Sequence, residues 1–227
     1  MNYYVLHFAG DPRYNQLLAR IGRMWRQAVG KTRPLRVLTT PATPSWDGWD
    51  CTLADPRPYL ARYYRPGHPG AAFDYKMCVI MALFDRVQGA PCCILDSDNL
   101  IYRDPTPLLD TLDPACLHLG LDGGMRSITH PAFAVPMLEL TTSIAIWPAD
   151  SRALTAKYRH LWATSTEPGH ELLEQRTTSL VFHTQQTPAA QQLPRTYAWS
   201  RFWGPTPPDC IIKHPHGPEK WEGIKTD

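Results

Sequence analysis

The chain has 227 residues, of which 43% are hydrophobic and 19% charged, and its formal net charge is +2 at pH 7. This composition places it among globular proteins, long enough for one well-buried domain, and the small net charge excludes a strongly basic field as the basis of nucleic-acid binding. No segment approaches the ~20 apolar residues that a membrane helix requires, and the N-terminus lacks a secretory signal pattern, so we expect a cytoplasmic protein without membrane association.

The N-terminal part of the chain predicts a strand, a helix and a second strand. Residues 3–8 are apolar and rich in aromatic side chains, a helix begins near Arg13 and is ended by Gly30, and residues 34–40 form a second apolar run. This order opens a layered α/β sheet. Neither GxGxxG nor GxxxxGK occurs, so a bound nucleotide would need its diphosphate neutralised in another way, such as by a metal ion.

Basic residues are concentrated in this first part of the chain. A solvated helix face is the interpretation that we favour, with a local nucleic-acid-binding face as the alternative. The residues concerned are Arg13, Arg20, Arg23, Arg26, Lys31, Arg33 and Arg36.

The six cysteines show neither a CxxC pair nor the spacing of a zinc site. Cys92 and Cys93 fall in a predicted buried strand, where cysteine behaves as a small hydrophobic residue. We therefore expect reduced, structural thiols.

The centre of the chain carries the first chemical signal. Apolar residues at helical spacing predict a helix over 72–87, and a short turn then leads into a buried strand at 92–95. Asp96 and Asp98 follow directly. If the extended geometry continued, both carboxylates would leave on the same face and could grip one hard divalent cation. The alternative is a polar turn whose acids cap the next element.

The C-terminal part carries the second signal. Strands are predicted at 117–121 and 141–147 and helices at 152–162 and 171–182. The tail over 210–221 then holds a group of residues with metal-ligating and phosphate-binding chemistry: His214, His216, Gly217 and Lys220. A disordered polar terminus is the alternative.

Taken together, the two motifs resemble those of retaining glycosyltransferases of the GT-A fold, in particular glycosyltransferase family 8 and its glycogenin-like members. Asp96-Ser97-Asp98 matches the family's DxD motif, and His214, Gly217, Lys220 and Trp221 match its HxxGxxKPW motif without the proline. The resemblance implies an α/β fold with a mostly parallel central sheet flanked by helices. It also implies a single domain over 1–227, with a donor-binding half at about 1–110 and an acceptor-side half with the metal and diphosphate tail at about 111–227.

Weaker matches lie between these motifs. Phe8 and Ala9, with Tyr14, resemble the family's base-binding loop, and Lys76 matches a position that contacts the donor. Glu174-Gln175 stands where the family has Asp-Gln. The chain departs from the pattern at Thr142-Ser143-Ile144, where the family has Asn-Ser/Ala-Gly, and at Ala198, where it has asparagine.

The resemblance implies a metal-dependent, retaining hexosyltransferase that moves a sugar from a nucleotide-diphosphate sugar, a UDP-sugar above all, to an acceptor hydroxyl. Asp96, Asp98 and His214 would hold the metal, for which Mn²⁺ suits the mixed carboxylate and imidazole ligands better than Mg²⁺. Ser97, Gly217 and Lys220 would lie at the diphosphate. Glu174 would lie under the developing oxocarbenium ion and Gln175 would position the sugar. The acceptor is left open among protein, glycan, a small molecule and a hydroxylated DNA base.

Two other interpretations stay open at this point. An apolar run followed by Asp96-Ser97-Asp98-Asn99 also looks like the nucleophile motif of haloacid-dehalogenase-type phosphatases, although Leu100 and the central position of the motif depart from that pattern. The departures at Thr142 to Ile144 and at Ala198 would also suit a nucleotide-sugar-binding module without turnover.

Overall fold

The computed structural model describes residues 1–7, 13–39, 49–64, 67, 71–86, 89–121, 127–128, 136–138, 140–150, 156, 173–184 and 190–224. The predicted base-binding residues Phe8 and Ala9 lie outside the described residues. So does the predicted helix over 152–162, apart from Ala156. The side chain of Glu174 is likewise outside the described part, although its backbone belongs to a helix.

The described residues alternate between strands and helices, as the sequence predicts. The helices are α1 (Arg13–Ala28), α2 (Arg57–Tyr63), α3 (Ala71–Arg86), α4 (Thr106–Leu109) and α5 (Leu173–Thr184), with short 3-10 turns at Arg195–Tyr197, Arg201–Trp203 and Gly217–Trp221. The strands are β1 (Asn2–Leu6), β2 (Leu35–Thr39), β3 (Cys51–Leu53), β4 (Cys92–Asp96), β5 (Leu100–Ile101), β6 (Leu117–Leu121), β7 (Ser127–Ile128), β8 (Met137–Leu138), β9 (Leu140–Trp147), β10 (Ala190–Gln192), β11 (Trp199–Ser200) and β12 (Ile212–His214).

A seven-stranded sheet in the order β10-β6-β9-β4-β1-β2-β3 forms the centre of the fold. Its strands pair in parallel except at β9, which runs antiparallel to both β4 and β6. The prediction of a mostly parallel sheet is therefore confirmed. All eight residues of β9 are buried, and burial on both faces does not reveal the direction in which a strand runs.

Strand β1 shows how the sheet separates two apolar layers. Tyr3 and Val5 point into the layer that contains the apolar stripe of α1, whereas Tyr4 and Leu6 point into the layer filled by α3. This alternation follows from the two-residue period of a strand. Helix α1 turns its other face to solvent, where Arg23 and Arg26 are exposed, and both interpretations of the basic run allow this.

A small second sheet in the order β11-β12-β5 lies beyond the carboxyl end of β4. Strand β12 pairs antiparallel with β5, with Lys213 opposite Leu100, and in parallel with β11, with His214 opposite Ser200. Since Leu100 follows Asp98 by two residues, this register brings the C-terminal histidine to the acids that end β4.

The six cysteines are unpaired, and Cys51 alone among them is incompletely buried. This agrees with the prediction of structural thiols. None of the helices in the described part of the chain combines the length and the apolar character that crossing a bilayer requires.

Candidate metal and nucleotide-sugar site

Asp96, Asp98 and His214 meet at the carboxyl end of β4. Each offers a ligand atom, and these atoms lie within 4.8 Å of one another. The sequence suggested that the strand would continue through both acids. In the structure it ends at Asp96. The chain turns after Asp96, and the Asn99 amide donates a hydrogen bond to the Asp96 carbonyl at 3.2 Å. The Asn99 side chain anchors this turn by donating to the Ser143 carbonyl at 2.6 Å.

The electrostatics of the three side chains fit a divalent cation. Burial, followed by the charge of Asp96, raises the pKa of Asp98 to about 7. Burial lowers the pKa of His214 to about 4, so its imidazole is neutral near pH 7 and can act as a ligand. Asp98 Oδ1 is buried without a hydrogen-bond partner among the described residues, and it lies 3.9 Å from His214 Nε2. Such a buried carboxylate oxygen is stabilised by a proton or by a nearby cation.

Lys76 lies beneath the first acid. Its Nζ is 2.8 Å from one carboxylate oxygen of Asp96 and 3.0 Å from the other, and its side chain is only 2% exposed. The Thr142 hydroxyl and carbonyl lie 3.3 and 3.4 Å from the same nitrogen. Thr142 thus helps to orient the lysine that pairs with Asp96. The sequence offered no signal for that contact, because the two residues belong to separate elements.

Lys220 lies on the side of the site that faces α1. Its Nζ is 3.3 Å from the hydroxyl of Tyr14 and 4.8 Å from the ring centroid of Trp221, and the two rings meet edge to face. Arg13 also lies over the Trp221 ring, at 4.5 Å. Tyr14, near the start of the chain, and Trp221, near its end, thus both contact the ammonium of Lys220. The positive charges of Lys220 and Lys76 both act to lower the pKa of Asp98, although the effect of burial outweighs them.

Arg20 is a residue of this region that sequence reasoning did not single out. Its guanidinium donates to the carbonyl of Asp98 at 3.3 Å and to the carbonyl of Glu222 at 3.2 Å. It therefore joins α1 to the metal-ligand loop and to the C-terminal tail. In the sequence it is one arginine of a basic run, and its contacts depend on backbone carbonyls that no side-chain pattern reveals.

The remaining predicted site residues differ in their surroundings. Gln175 is buried in α5, and its Nε2 has no hydrogen-bond partner among the described residues. Ser97 is 1% exposed, and its hydroxyl is likewise without a partner in the described part of the chain. Gly217 begins the last 3-10 turn with a φ of 56°, a conformation that favours glycine. The structure brings Asp96, Asp98, His214, Lys76, Tyr14 and Lys220 together.

No protein-family model matches the sequence, and no curated protein matches it either. Solved structures do match the fold. A galactosyltransferase, LgtC, in complex with donor and acceptor sugar analogs aligns with a TM-score of 0.69 at 12% identity, over 96% of this chain and 88% of that one. Mouse xyloside xylosyltransferase 1 aligns at 0.60 and 11% identity, over 94% of this chain and 97% of that one.

A further match is the bifunctional glycosyltransferase WbbM, with a TM-score of 0.64 at 15% identity, over 94% of this chain and 45% of that one. At such identities the likeness concerns the fold and leaves the reaction open. The chain has the GT-A fold of these glycosyltransferases.

Proposed function

We propose that this chain is a metal-dependent glycosyltransferase that uses a nucleotide-diphosphate sugar. The observation that carries the proposal is the convergence of Asp96, Asp98 and His214 within 4.8 Å of one another, at the strand end where sheets of this kind bind ligands. The fold shared with known glycosyltransferases supports it. The domain would comprise residues 1–227, with a donor-binding half at about 1–110 and an acceptor-side half at about 111–227.

The difficult step in such a transfer is the build-up of negative charge on the diphosphate as the anomeric bond breaks. A divalent cation held by Asp96, Asp98 and His214 would supply Lewis-acid chemistry there, and the mixed ligand set favours Mn²⁺ over Mg²⁺. Lys220 would add a positive charge whose position Tyr14 fixes.

Lys76 would have a positioning role. Since its ammonium contacts both carboxylate oxygens of Asp96, it places a positive charge against that group and limits its rotation. The metal would therefore meet an oriented ligand. Ser97 and Gly217 would contribute their backbone to the diphosphate pocket, next to the ligands that they adjoin in sequence.

The sugar side of the site rests on Glu174 and Gln175. Gln175 has a buried amide nitrogen without a partner among the described residues, which suits a group that hydrogen-bonds a sugar hydroxyl. We assign Glu174 to the face of the developing oxocarbenium ion and expect the anomeric configuration to be retained. We expect a UDP-sugar donor, with Phe8 and Ala9 at the base.

The phosphatase interpretation is not favoured, because the structures that share the fold are glycosyltransferases. The binding-module interpretation differs from our proposal in one respect: a module binds a nucleotide sugar and does not consume it. Turnover therefore separates the two.

The test is nucleotide-sugar binding and donor hydrolysis, scanned over UDP, GDP, ADP and TDP sugars with Mn²⁺ or with a chelator. Asp98→Ala is the site variant. Asp150→Ala, at an exposed carboxylate after β9, is the matched control. We expect the wild type and Asp150→Ala to bind and hydrolyse one donor in the presence of Mn²⁺. Asp98→Ala should do neither. Binding without turnover under every condition would favour the module, and no binding would overturn the proposal.

A further inference from the structure

The 3-10 turn Arg201–Trp203 presents an exposed aromatic ring beside the metal ligands. The side chain of Phe202 is 55% exposed. Its backbone is fixed, because the Phe202 amide donates to the hydroxyl of Ser200, a buried residue of β11 that pairs in register with His214. Phe202 thus follows Ser200 by two residues, and strand pairing fixes Ser200 opposite His214.

The rings of this region form a continuous contact from the surface to the metal ligand. The centroid of Phe202 lies 4.8 Å from that of His216, with an interplanar angle of 41°. The centroid of His216 lies 4.3 Å from that of His214. A single imidazole therefore separates the exposed ring from a side chain of the metal cluster.

A cationic group borders the same surface. The guanidinium carbon of Arg201 lies 5.3 Å from the ring centroid of Phe202. Its Nη2 lies 3.4 Å from the position that a Cβ on Gly217 would occupy. The surface thus combines an exposed aromatic ring with a guanidinium that lies over it and carries hydrogen-bond donors.

The order of the small sheet separates Phe202 from α1, the helix that contacts the predicted diphosphate lysine, Lys220. Lys220 contacts Tyr14 on α1, and α1 packs against β5 at one edge of the β11-β12-β5 sheet. Phe202 follows β11 at the opposite edge. The ring therefore follows the edge of the small sheet opposite to the edge that packs against α1, while Arg201 beside it approaches Gly217.

We infer that Phe202, bordered by Arg201, is the stacking surface for a sugar ring of the acceptor. This inference rests on the proposed function. The C–H face of a pyranose is apolar and carries partial positive charge, which complements the negative face of an aromatic ring. The guanidinium supplies donors to the hydroxyl groups at the edge of that sugar. The acceptor is accordingly a glycan or glycoside.

A nucleic-acid acceptor would require cations that follow a phosphate backbone. Besides Arg201, three cations of the C-terminal region and of the turn after β5 have partners within the described part of the protein. Arg103 donates to the Pro208 carbonyl at 2.6 Å, Lys213 pairs with Glu219, and Arg195 lies over the Trp203 ring at 5.2 Å. This arrangement favours an uncharged sugar over a nucleobase.

The test uses p-nitrophenyl glucoside, galactoside and xyloside as acceptor probes, with the donor and Mn²⁺, on the full chain. Transfer kinetics are measured together with donor hydrolysis and with saturation-transfer NMR of each glycoside. The variants are Phe202→Ala and Phe202→Trp. Leu53→Ala is the matched control, because Leu53 is an exposed apolar residue at the outer strand of the large sheet.

We expect Phe202→Ala to raise the acceptor KM about tenfold, a loss of about 1.4 kcal/mol, with donor hydrolysis unchanged. Phe202→Trp and Leu53→Ala should keep the wild-type KM within about twofold. An unchanged KM in Phe202→Ala would overturn the inference. Transfer to an oligonucleotide that contains hydroxymethylcytosine, without transfer to any of the glycosides, would also overturn it. A protein that hydrolyses its donor but binds none of the glycosides would overturn it as well. Failure of the proposed function itself is distinguishable, since donor binding would then be absent from the wild type.

Discussion

Lys76 Nζ lies 2.8 Å from one carboxylate oxygen of Asp96 and 3.0 Å from the other, in a lysine side chain that is 2% exposed. The first acid of the candidate metal site therefore has an ammonium in direct contact, whereas the nearest ion-pair contact given for Asp98 Oδ1 in the described part of the chain is His214 Nε2 at 3.9 Å. Asp96 and Asp98 thus differ in the charged groups that contact them. This asymmetry leads to separate predictions for the two residues.

Replacement of Lys76 by methionine should destabilise the metal-free protein. The change leaves Asp96 beside Asp98 without its ammonium, and breaking a buried ion pair costs about 3–5 kcal/mol. We expect the low end, about 3 kcal/mol, because Asp96 retains 18% exposure. Urea unfolding with and without Mn²⁺ is the measurement, and Mn²⁺ should restore part of the loss. Equal unfolding midpoints for the variant and the wild type would show that the pair does not stabilise the fold.

Replacement of Asp98 by asparagine should have the opposite effect on the metal-free protein. The pKa of Asp98 is raised from 3.8 to about 7 in the folded state, so the folded state binds the proton more tightly than the unfolded state does. Stability is therefore lost as the pH rises from 3.8 towards 7. Asp98→Asn removes this loss, and about 1 kcal/mol of relief raises the Tm of a domain of this size by about 2–4 °C.

Thermal unfolding across pH checks that prediction. The Tm of metal-free Asp98→Asn should exceed that of the wild type at about pH 8, and the difference should vanish below about pH 4. Mn²⁺ should raise the Tm of the wild type alone. A variant that unfolds at a lower temperature than the wild type across the whole range would contradict the raised pKa.

The individual elements of the site could be predicted from the sequence more completely than their contacts. The apolar stripe of α1 and the buried strand before Asp96 follow from local periodicity, and both are confirmed. The arrival of His214 at the acids depends on the pairing of β12 with β5, a register between two very short strands that hydrophobic alternation cannot specify. The contact between Thr142 and Lys76 could not be predicted, because it joins two elements that are far apart in the sequence.

Lys220→Ala should weaken binding of a nucleoside diphosphate far more than binding of the nucleoside. The ammonium is held at 3.3 Å from the Tyr14 hydroxyl, and a hydrogen bond between charged groups contributes about 1.5–3 kcal/mol. We therefore expect at least about a tenfold loss of UDP affinity in Mn²⁺ and no change for uridine. Calorimetry measures both ligands. Tyr14→Phe, which removes only the hydroxyl, should cost less than Lys220→Ala, and equal losses for UDP and uridine would argue against a diphosphate contact.

Gly120→Ala tests how little space lies between Gly120 and Ala198. A Cβ on Gly120 would lie 2.4 Å from the Cβ of Ala198 and 2.9 Å from Cγ2 of Thr141. Overpacking of this kind costs about 1–3 kcal/mol, and we expect a larger side chain at 198 to be crowded as well, because its Cβ lies close to Gly120. Unfolding free energies should fall in Gly120→Ala and in Ala198→Asn. The double variant Gly120→Ala with Ala198→Gly should recover part of the loss. The absence of any recovery would mean that Thr141 alone limits the space.

Arg20→Ala should loosen the metal site without removing a metal ligand. The guanidinium donates to the carbonyls of Asp98 and Glu222, so its loss frees the metal-ligand loop and the tail from α1. Each lost charged hydrogen bond is worth about 1.5–3 kcal/mol in a buried setting, but water can replace part of it here. We therefore expect Mn²⁺ affinity to fall about tenfold and the donor KM to rise, with a smaller change in kcat.

Arg23→Ala is the matched control for this change, because Arg23 lies on the exposed face of the same helix. It tests whether a general loss of positive charge on α1 accounts for the result. Arg20→Lys should retain one of the two carbonyl contacts and fall between the wild type and Arg20→Ala, since an ammonium cannot span both acceptors as a planar guanidinium does. A loss of stability in Arg20→Ala with unaltered Mn²⁺ affinity would assign Arg20 to the fold alone. A graded loss of Mn²⁺ affinity through Arg20→Lys to Arg20→Ala, absent from Arg23→Ala, would assign it to the geometry of the metal ligands.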